Sequence, residues 1–206
     1  ENKNLIEKTF YKDRKFDIIT SQFTIHFLFN KKESIQNLIY NIKTFLNKDG
    51  YILLTLFDAD KVHDILKDNN EYISYYTNED GERTVLYHIK KKYTGEISKD
   101  IGNPIDVYMS WINQEGTFVE EYLVSKDLMI KTMEEAGCKL VDTELFSNIY
   151  YLNEPYFKNV IQYEENPKNK QFYEKVAAFY GDLKGADKES KKYSFLSRFY
   201  IFRKSD

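Results

Sequence analysis

The chain has 206 residues, of which 42% are hydrophobic and 31% charged, and its formal net charge is −3. This composition is typical of a folded globular chain. The charge excludes a protein whose whole surface is basic for nucleic-acid binding, although a local basic groove stays open. The single cysteine, Cys138, cannot form an internal disulfide, which favours a reducing compartment. No apolar run approaches the roughly 20 residues that cross a bilayer, so we expect no membrane partner.

The first part of the chain predicts a strand, a helix and a second strand. Residues 1–15 are predicted to be the end of a helix and a charged turn. Apolar runs at Phe16–Phe23 and Tyr51–Phe57 are typical of strands buried on both faces. Between them, Glu33–Leu46 carries apolar side chains at helical spacing and ends at a Lys-Asp-Gly turn. Because a βαβ unit favours parallel pairing, we expect an α/β fold whose parallel sheet is covered by helices.

The middle of the chain, residues 71–118, predicts an antiparallel β insertion. Short runs rich in Tyr, Val and Ile alternate there with turn sequences, and the predicted strands are Tyr72–Tyr76, Thr84–Tyr93 and Ile105–Ile112. The remaining predicted elements are a helix at Asp58–Leu66, a helix at Ser125–Ala136, a strand at Cys138–Phe146, a helical stretch at Glu154–Tyr180, a charged loop at Lys184–Lys192 and a final strand at Tyr193–Phe202.

A Gly-rich phosphate-binding turn is missing from the sequence. Nucleotide-binding α/β domains normally carry GxGxxG or GxxxxGK[ST] after their first strand, whereas the eight glycines of this chain are scattered singly. Either the sheet binds no nucleotide, or the sequence begins within such a sheet. The second interpretation is favoured because the sequence opens directly in apparent helix, without a helix-start signal.

Five segments resemble one known family, in the same order along the chain. FDIITSQFTIHFLF (Phe16–Phe29) resembles the FDxxxxQFxxHYxF segment of mRNA cap guanine-N7 methyltransferases. The other similar segments are TLFDADKV (Thr55–Val62), FVEEYLV (Phe118–Val124), EAGCKLVDTELF (Glu135–Phe146) and RFYIFRK (Arg198–Lys204). Because Lys, Asn, Ile and Tyr are abundant and Phe stands at position 57, the chain is most similar to the C-terminal methyltransferase domain of mRNA-capping enzymes from large cytoplasmic DNA viruses.

The resemblance implies a class I, Rossmann-like, S-adenosylmethionine-dependent methyltransferase sheet, which the sequence enters at its fourth strand. Residues 1–206 then form one methyltransferase domain whose N-terminal cofactor-binding half is missing, and the insertion at 71–118 forms a cap-binding lobe. S-adenosylmethionine is the implied methyl donor, and of the residues that bind it only Gln22, at the end of the first strand, remains. We expect no metal, because one cysteine and three separated histidines lack ligand spacing.

The family's cap-binding residues have counterparts at matching positions. A site that reads guanine needs a donor for O6, an acceptor pair for N1–H and the 2-amino group, and aromatic walls. The resemblance assigns the donor to His26 and the acceptor pair to Glu121. It assigns the walls to Phe23 and Phe57. Without the motif, the two polar residues would be ordinary strand-end or surface groups and the two phenylalanines would be core residues.

Three positions depart from the family pattern within the implied cap site. Phe27 stands where the family has Tyr, so a hydroxyl contact to the cap is lost. Phe57 replaces Pro, and Ser197 falls where a cap-contacting Tyr stands in the last strand. The residues that could compensate for this missing tyrosine are Tyr193, Tyr200 and Phe199.

The implied function is transfer of a methyl group from S-adenosylmethionine to N7 of the 5′ cap guanine of viral mRNA. Guanine N7 carries an exposed lone pair and the donor's methyl is already activated, so we expect orientation of the reactants and no catalytic nucleophile or proton relay. Two alternatives stay open. One is a non-catalytic cap-binding or allosteric subunit with a methyltransferase-like fold, and the other is a class I methyltransferase for a small molecule.

The implied partner is capped RNA with a GpppN end. Triphosphatase and guanylyltransferase domains of the same polypeptide and a stimulatory subunit are further candidate partners, and a viral enzyme would act in the host cytoplasm or the virion. Lys90-Lys91-Lys92 and the basic residues between Lys184 and Lys204 are either a solvated surface or contacts to the cap triphosphate and RNA.

Overall fold

The computed structural model describes residues 14–78 and 80–205. In chain order its elements are β1 (Phe16–Gln22), a 3-10 helix (Ile25–Phe29), α1 (Lys32–Phe45), β2 (Leu46–Phe57), α2 (Ala59–Ile65), β3 (Glu71–Thr77), β4 (Arg83–Lys91), β5 (Asn103–Met109), β6 (Val119–Leu123), α3 (Lys126–Glu135), β7 (Cys138–Leu145), α4 (Phe146–Tyr163), α5 (Pro167–Ala178), α6 (Gly185–Ser194) and β8 (Ser197–Lys204). The helix end predicted within residues 1–13 lies outside the described residues.

The first sheet has the strand order β1-β2-β8-β7. β1 and β2 are parallel, with Gln22 opposite Thr55, as the βαβ pattern predicts. β8 lies between β2 and β7 and is antiparallel to both, so the expectation of a parallel sheet was wrong beyond the first pair. The reason is the connection between β7 and β8, since the helices at 146–194 return the chain to the end of the sheet where β7 finishes.

The first hydrophobic core lies between this sheet and the helices α1 and α3. Ile35, Ile39 and Ile42 form the buried face of α1, which confirms the helical spacing seen in the sequence. β1 behaves differently, because the side chain of Ile18 is 61% exposed. The prediction that β1 is buried on both faces was therefore wrong. Within the described residues β1 is an edge strand with a neighbour on one side only.

The second sheet has the order β3-β4-β5-β6 and is antiparallel throughout. Its inner face packs on α2 and on Phe57 in a second core, to which Tyr87, Ile89 and Ile105 contribute buried side chains. The three strands predicted in this region all occur, with shifted ends. β6 was not predicted, because two of its five residues are glutamates and obscure the apolar pattern. One of them is Glu121, which is buried.

The segment between β7 and β8 is helical. Phe146 begins α4 rather than ending a strand, and the helical stretch predicted at Glu154–Tyr180 corresponds to two helices, α4 and α5, that are separated at residues 164–166. Among the described residues, no helix has the length and apolar character needed to cross a membrane.

The charged loop predicted at Lys184–Lys192 was wrong, because these residues belong mainly to α6. Asp187 lies in its first turn and Lys191 in its last turn, an arrangement that complements the helix dipole. Tyr193 also belongs to α6, and the final strand begins at Ser197 instead of Tyr193.

Candidate functional site

The turn that follows β1 carries the first group of predicted site residues. At Phe23 the backbone has a positive φ of 53°, which is uncommon for a residue with a side chain. Its N–H donates to the carbonyl oxygen of Thr55 at 2.8 Å, which joins the turn to β2. The chain then enters the 3-10 helix, and this helix buries the side chain of His26, which is only 5% exposed.

His26 meets Glu121 of β6 at the edge of the second sheet. His26 Nε2 lies 3.3 Å from Glu121 Oε2, and Glu121 is only 8% exposed. The contact does not have hydrogen-bonding geometry, and no described residue forms a hydrogen bond with His26 Nε2. A buried polar atom without a partner is rare in folded proteins and marks a position where a ligand can supply the missing bond. The tertiary fold thus brings two predicted site residues into contact.

Burial controls the charge of this pair. Desolvation lowers the pKa of His26 from 6.5 to about 4 and raises that of Glu121 from 4.5 to about 7. Near neutral pH, His26 is therefore uncharged and Glu121 is close to its own midpoint of ionisation. We interpret the pair as two desolvated groups with free hydrogen-bonding capacity, not as a formed ion pair.

Aromatic rings flank the polar pair. The ring of Phe27 lies 4.2 Å from the ring of His26 and is partly exposed. At the end of β2, the buried ring of Phe57 meets Tyr193 of α6 edge to face, with 5.3 Å between the centroids. Burial, followed by the nearby charge of Glu121, raises the pKa of Tyr193, so this tyrosine also lies close to the polar pair. Tyr193 therefore lies between the ring of Phe57, which it contacts, and the carboxyl group of Glu121, whose charge acts on it.

Ser197 lies opposite Phe57 in the pairing of β2 with β8. It is only 1% exposed, and its hydroxyl oxygen has no hydrogen-bond partner among the described residues. Of the three residues considered as replacements for the missing tyrosine, Tyr193 is the one that contacts Phe57 directly. Sequence reasoning had placed Tyr193 on the last strand, but it reaches this position from a helix.

Phe23 points toward α4. Its ring is 49% exposed and meets the ring of Phe146 edge to face, at 6.2 Å between centroids. Phe146 was missed as a neighbour of the site, because the sequence shows only an apolar residue at the end of a predicted strand. The described contacts join His26 with Phe27 and Glu121, whereas Phe23 is held by a separate contact.

Gln22, the predicted cofactor residue, lies at the carboxyl end of β1. Its Oε1 accepts a hydrogen bond from Thr55 Oγ1 at 2.6 Å, and its Nε2 donates to Thr20 Oγ1 at 2.7 Å. The side chain is exposed but fixed in orientation at the strand end where α/β folds bind their ligands. Thr55 was not predicted as a neighbour of Gln22. The predicted βαβ unit could have indicated it, because such a unit places the ends of its parallel strands side by side. Among the described residues, no group of three or more His, Cys, Asp or Glu side chains is arranged to hold a metal ion.

The comparisons with known proteins give first the class and then the family. The chain has a mixed α/β sheet, and the family model that matches it is that of a methyltransferase domain, as expected. The family model of the mRNA (guanine-N(7))-methyltransferase domain matches residues 2–205. The chain belongs to this family, which confirms the resemblance seen in the sequence.

Similar proteins come from large DNA viruses. The chain is 33% identical over 215 residues to the "Probable mRNA-capping enzyme" of Acanthamoeba polyphaga mimivirus, an alignment that covers 99% of this chain and 18% of that protein. It is 25% identical over 130 residues to the mRNA-capping enzyme of African swine fever virus (isolate Pig/Kenya/KEN-50/1950), which covers 63% of this chain and 15% of that protein. The chain thus spans less than a fifth of the length of these relatives.

Two of the solved structures found by comparison are methyltransferases of low sequence identity. One is an S-adenosylmethionine-dependent methyltransferase from Clostridium acetobutylicum, with 10% identity, 94% of this chain and 60% of that chain covered, and a TM-score of 0.46. Another is a glycopeptide N-methyltransferase complexed with S-adenosyl-L-homocysteine, with 13% identity, 95% and 57% covered, and a TM-score of 0.40.

Proposed function

We propose that this chain transfers a methyl group from S-adenosylmethionine to N7 of the guanine in the 5′ cap of mRNA. The observation that carries the proposal is the contact between His26 and Glu121, which are both buried, next to aromatic rings. Such a site offers a donor, an acceptor pair and apolar walls in a place from which water is excluded. These are the groups that recognition of one purine edge requires.

The polar pair would read the Watson–Crick edge of guanine. Glu121 has two oxygens, which can accept from N1–H and the 2-amino group when the carboxyl is ionised. Burial keeps His26 uncharged, so one ring nitrogen carries a proton and can donate toward O6. Because bound guanine supplies two donors to a desolvated carboxylate, cap binding should favour the ionised form of Glu121. Adenine lacks this donor pair, so the site discriminates against an adenine cap.

The walls would hold the base plane. Stacking of a base on an aromatic side chain contributes about 1–3 kcal/mol. Phe27 and Phe23 present exposed aromatic surface, whereas the ring of Phe57 is buried and packs edge to face against Tyr193. We propose that Tyr193 replaces the tyrosine that the last strand lacks. The buried hydroxyl of Ser197 is then free to bond a polar atom of the ligand.

Methyl transfer needs orientation more than acid–base chemistry. S-adenosylmethionine supplies an activated methyl on a sulfonium, and guanine N7 is a nucleophile without deprotonation. Gln22, fixed by Thr55 and Thr20, would border the donor at the strand end. Holding N7 in line with the methyl group then supplies most of the acceleration, because oriented reactants have high effective molarities.

The wider setting of the domain is also a proposal. Since the relatives are several times longer than this chain, we propose that it works within a capping enzyme that carries triphosphatase and guanylyltransferase activities, in the cytoplasm of an infected host. The remainder of the donor site and any stimulatory subunit belong to the same proposal.

A methyl-transfer assay tests the proposed function. The enzyme is the full polypeptide that contains this chain. It is incubated with radiolabelled S-adenosylmethionine and GpppA-capped RNA, or with ApppA-capped RNA as the control. We expect transfer to GpppA only. His26→Ala should raise the KM for the cap with little change in affinity for the donor. Binding of GpppA without any transfer would instead support the non-catalytic cap-binding subunit, and the absence of both binding of GpppA and transfer to it would overturn the cap assignment.

A further inference from the structure

Apart from the candidate cap site, a cluster of cations and aromatic rings lies on the outer face of the second sheet. Side chains alternate along a strand, so Tyr87 and Ile89 of β4 point into the core whereas His88 and Lys90 point away from it. His88 lies opposite Tyr108 of β5 in the strand pairing. The same parity rule places Glu121 on the inner side. This outer surface is therefore separate from the candidate cap site.

A cavity of about 600 Å³ opens on this outer face. Its lining includes Arg83, His88, Lys90, Tyr108 and Phe118. The ammonium of Lys90 lies 4.1 Å from the centroid of the Phe118 ring, and the rings of Tyr108 and Phe118 are 6.0 Å apart. The cavity thus combines positive charge with flat aromatic surface.

A second cavity of about 510 Å³ continues from Arg83 toward α6. It is lined by Tyr75, Tyr76 and Lys188, and Arg83 belongs to both cavities. The guanidinium carbon of Arg83 lies 3.8 Å above the ring of Tyr75. We call the two cavities together the outer groove. It runs from Phe118 on the outer face past Arg83 to Lys188 of α6, a helix that packs on the inner side of the sheet.

The cations of the outer groove lie near carboxylates but do not form close ion pairs with them. Arg83, Lys90 and Lys188 form no ion pair with any carboxylate of the described residues. Two carboxylates do line the groove, Glu115 and Glu189, but Glu189 is paired with a lysine at 2.6 Å. The lining thus holds three cations and two carboxylates, and Glu71 lies beside it with its Oε2 2.9 Å from His88 Nε2.

We propose that the outer groove binds single-stranded RNA, as the path of the transcript beyond the cap. Its cations contact phosphates, and its aromatic rings stack with bases without reading their sequence, which is how non-specific single-strand binders work. Unpaired cations alone would suit an acidic peptide equally well. The half-buried rings of Tyr75 and Phe118 beside them favour RNA, because every base offers a face to stack. That the bound strand is capped mRNA rests on the proposed function, whereas binding of single-stranded RNA does not.

The test measures binding of an uncapped, fluorescent RNA of about 12 nucleotides, a length within the usual site size of such grooves. Anisotropy titrations of this chain over a range of salt concentrations give a slope of log K against log salt. Three phosphate contacts predict a slope of about −2, and Arg83→Gln or Lys90→Gln should each reduce its magnitude by about 0.7. Phe118→Leu should weaken binding at least about fivefold while leaving the slope unchanged. Lys131→Gln, an exposed lysine of α3, is the matched control.

The outcomes separate this proposal from the cap assignment. Equal effects of Lys131→Gln and Arg83→Gln, or stronger binding of a poly-glutamate peptide than of the RNA, would overturn the outer groove as an RNA site. Far-UV circular dichroism confirms that each variant is folded. Because the probe carries no cap and no methyl transfer is measured, failure of the cap assay leaves this result intact. Conversely, the variants should raise the KM for capped RNA but not that for the GpppA dinucleotide.

Discussion

Replacing Glu121 by Gln should change how the stability of the fold depends on pH. The folded state binds fewer protons than the unfolded state at His26 between pH 4 and 6.5, because the pKa of His26 is lowered to about 4. This group therefore makes stability rise with pH across that window. At Glu121 the pKa is raised from 4.5 to about 7. The stability contributed by its bound proton is full below pH 4.5 and is lost as pH rises to about 7.

The two effects are of similar size and opposite sign. Each pKa change corresponds to about 3 kcal/mol in the free energy of unfolding, so the pair largely cancels between pH 4.5 and 6.5 in the wild-type chain. Glu121→Gln removes one effect and leaves the other. The free energy of unfolding of the variant minus that of the wild type should therefore be about 3 kcal/mol larger at pH 8 than at pH 4.5. For His26→Gln, the free energy of unfolding of the variant minus that of the wild type should instead decrease as the pH rises from 4 to 6.5.

Urea unfolding between pH 4.5 and 8, followed by circular dichroism, measures these differences. Subtracting the wild-type values removes the contribution of all other titrating groups. Glu120→Gln is the matched control on the same strand, since Glu120 is exposed and its pKa is lowered by a hydrogen bond that it accepts from Lys92, followed by one from Tyr122. A variant-minus-wild-type difference for Glu121→Gln that stays constant with pH would refute the desolvation of this site.

Glu121→Gln should also change stability and function in opposite directions: it should stabilise the fold at pH 8 and weaken cap binding. A glutamine presents an NH₂ group to a base edge that offers only donors at that position, so one charge-assisted hydrogen bond is lost. Such a bond contributes about 1.5–3 kcal/mol, which corresponds to a rise of about 10- to 150-fold in the KM for the GpppA cap. A variant that is more stable at pH 8 and binds the cap normally would show that Glu121 does not read the base.

Three further predictions test other parts of the site. Phe23→Gly relieves the positive φ and should hold or raise stability by about 1 kcal/mol in urea unfolding, while the lost stacking surface raises the KM for the cap. Arg198→Met leaves the buried carboxylate of Asp58, now 2.6 Å from Arg198 Nε, without its partner and should cost about 3–5 kcal/mol in the same assay. Thr55→Val removes the donor to Gln22 and should raise the KM for S-adenosylmethionine while that for the cap stays within about twofold.

The sequence predicted those elements whose pattern reflects local burial. The helical spacing of α1 was correct, because a buried face imposes its period on the residues. The strand pair β1 and β2 was also correct, although β1 is not buried as predicted. The direction of β8 was missed, since it depends on where the chain returns after the helices at 146–194. α6 was missed because its apolar contacts are few and its composition is charged. Its dipole-matched charges were the signal that was overlooked.

The sequence predicted which residues belong to the candidate site, but it did not predict how they are arranged in space. The motif named His26 and Glu121, but only the fold shows that a 3-10 turn and an unpredicted strand bring them within 3.3 Å. Tyr193 was weighed on the assumption of a strand, where alternation would place it on one face with Ser197. It reaches the pocket instead from the last turn of α6, where Phe57 fills the space beside it. Residue identity was readable from the sequence, whereas the supporting contacts depend on packing between distant elements.

The second sheet can serve two kinds of recognition because its faces differ in solvation. On the inner side, burial leaves His26 and Glu121 few competing partners, so a single purine edge can be read through hydrogen bonds that are strong where water is excluded. On the outer side, Arg83 and Lys90 remain in contact with solvent, where charge attracts phosphates without selecting a base. Strand alternation keeps the two environments apart over the thickness of one sheet. We therefore expect selectivity for the cap to be insensitive to salt, whereas affinity for the attached RNA should fall steeply as the salt concentration rises.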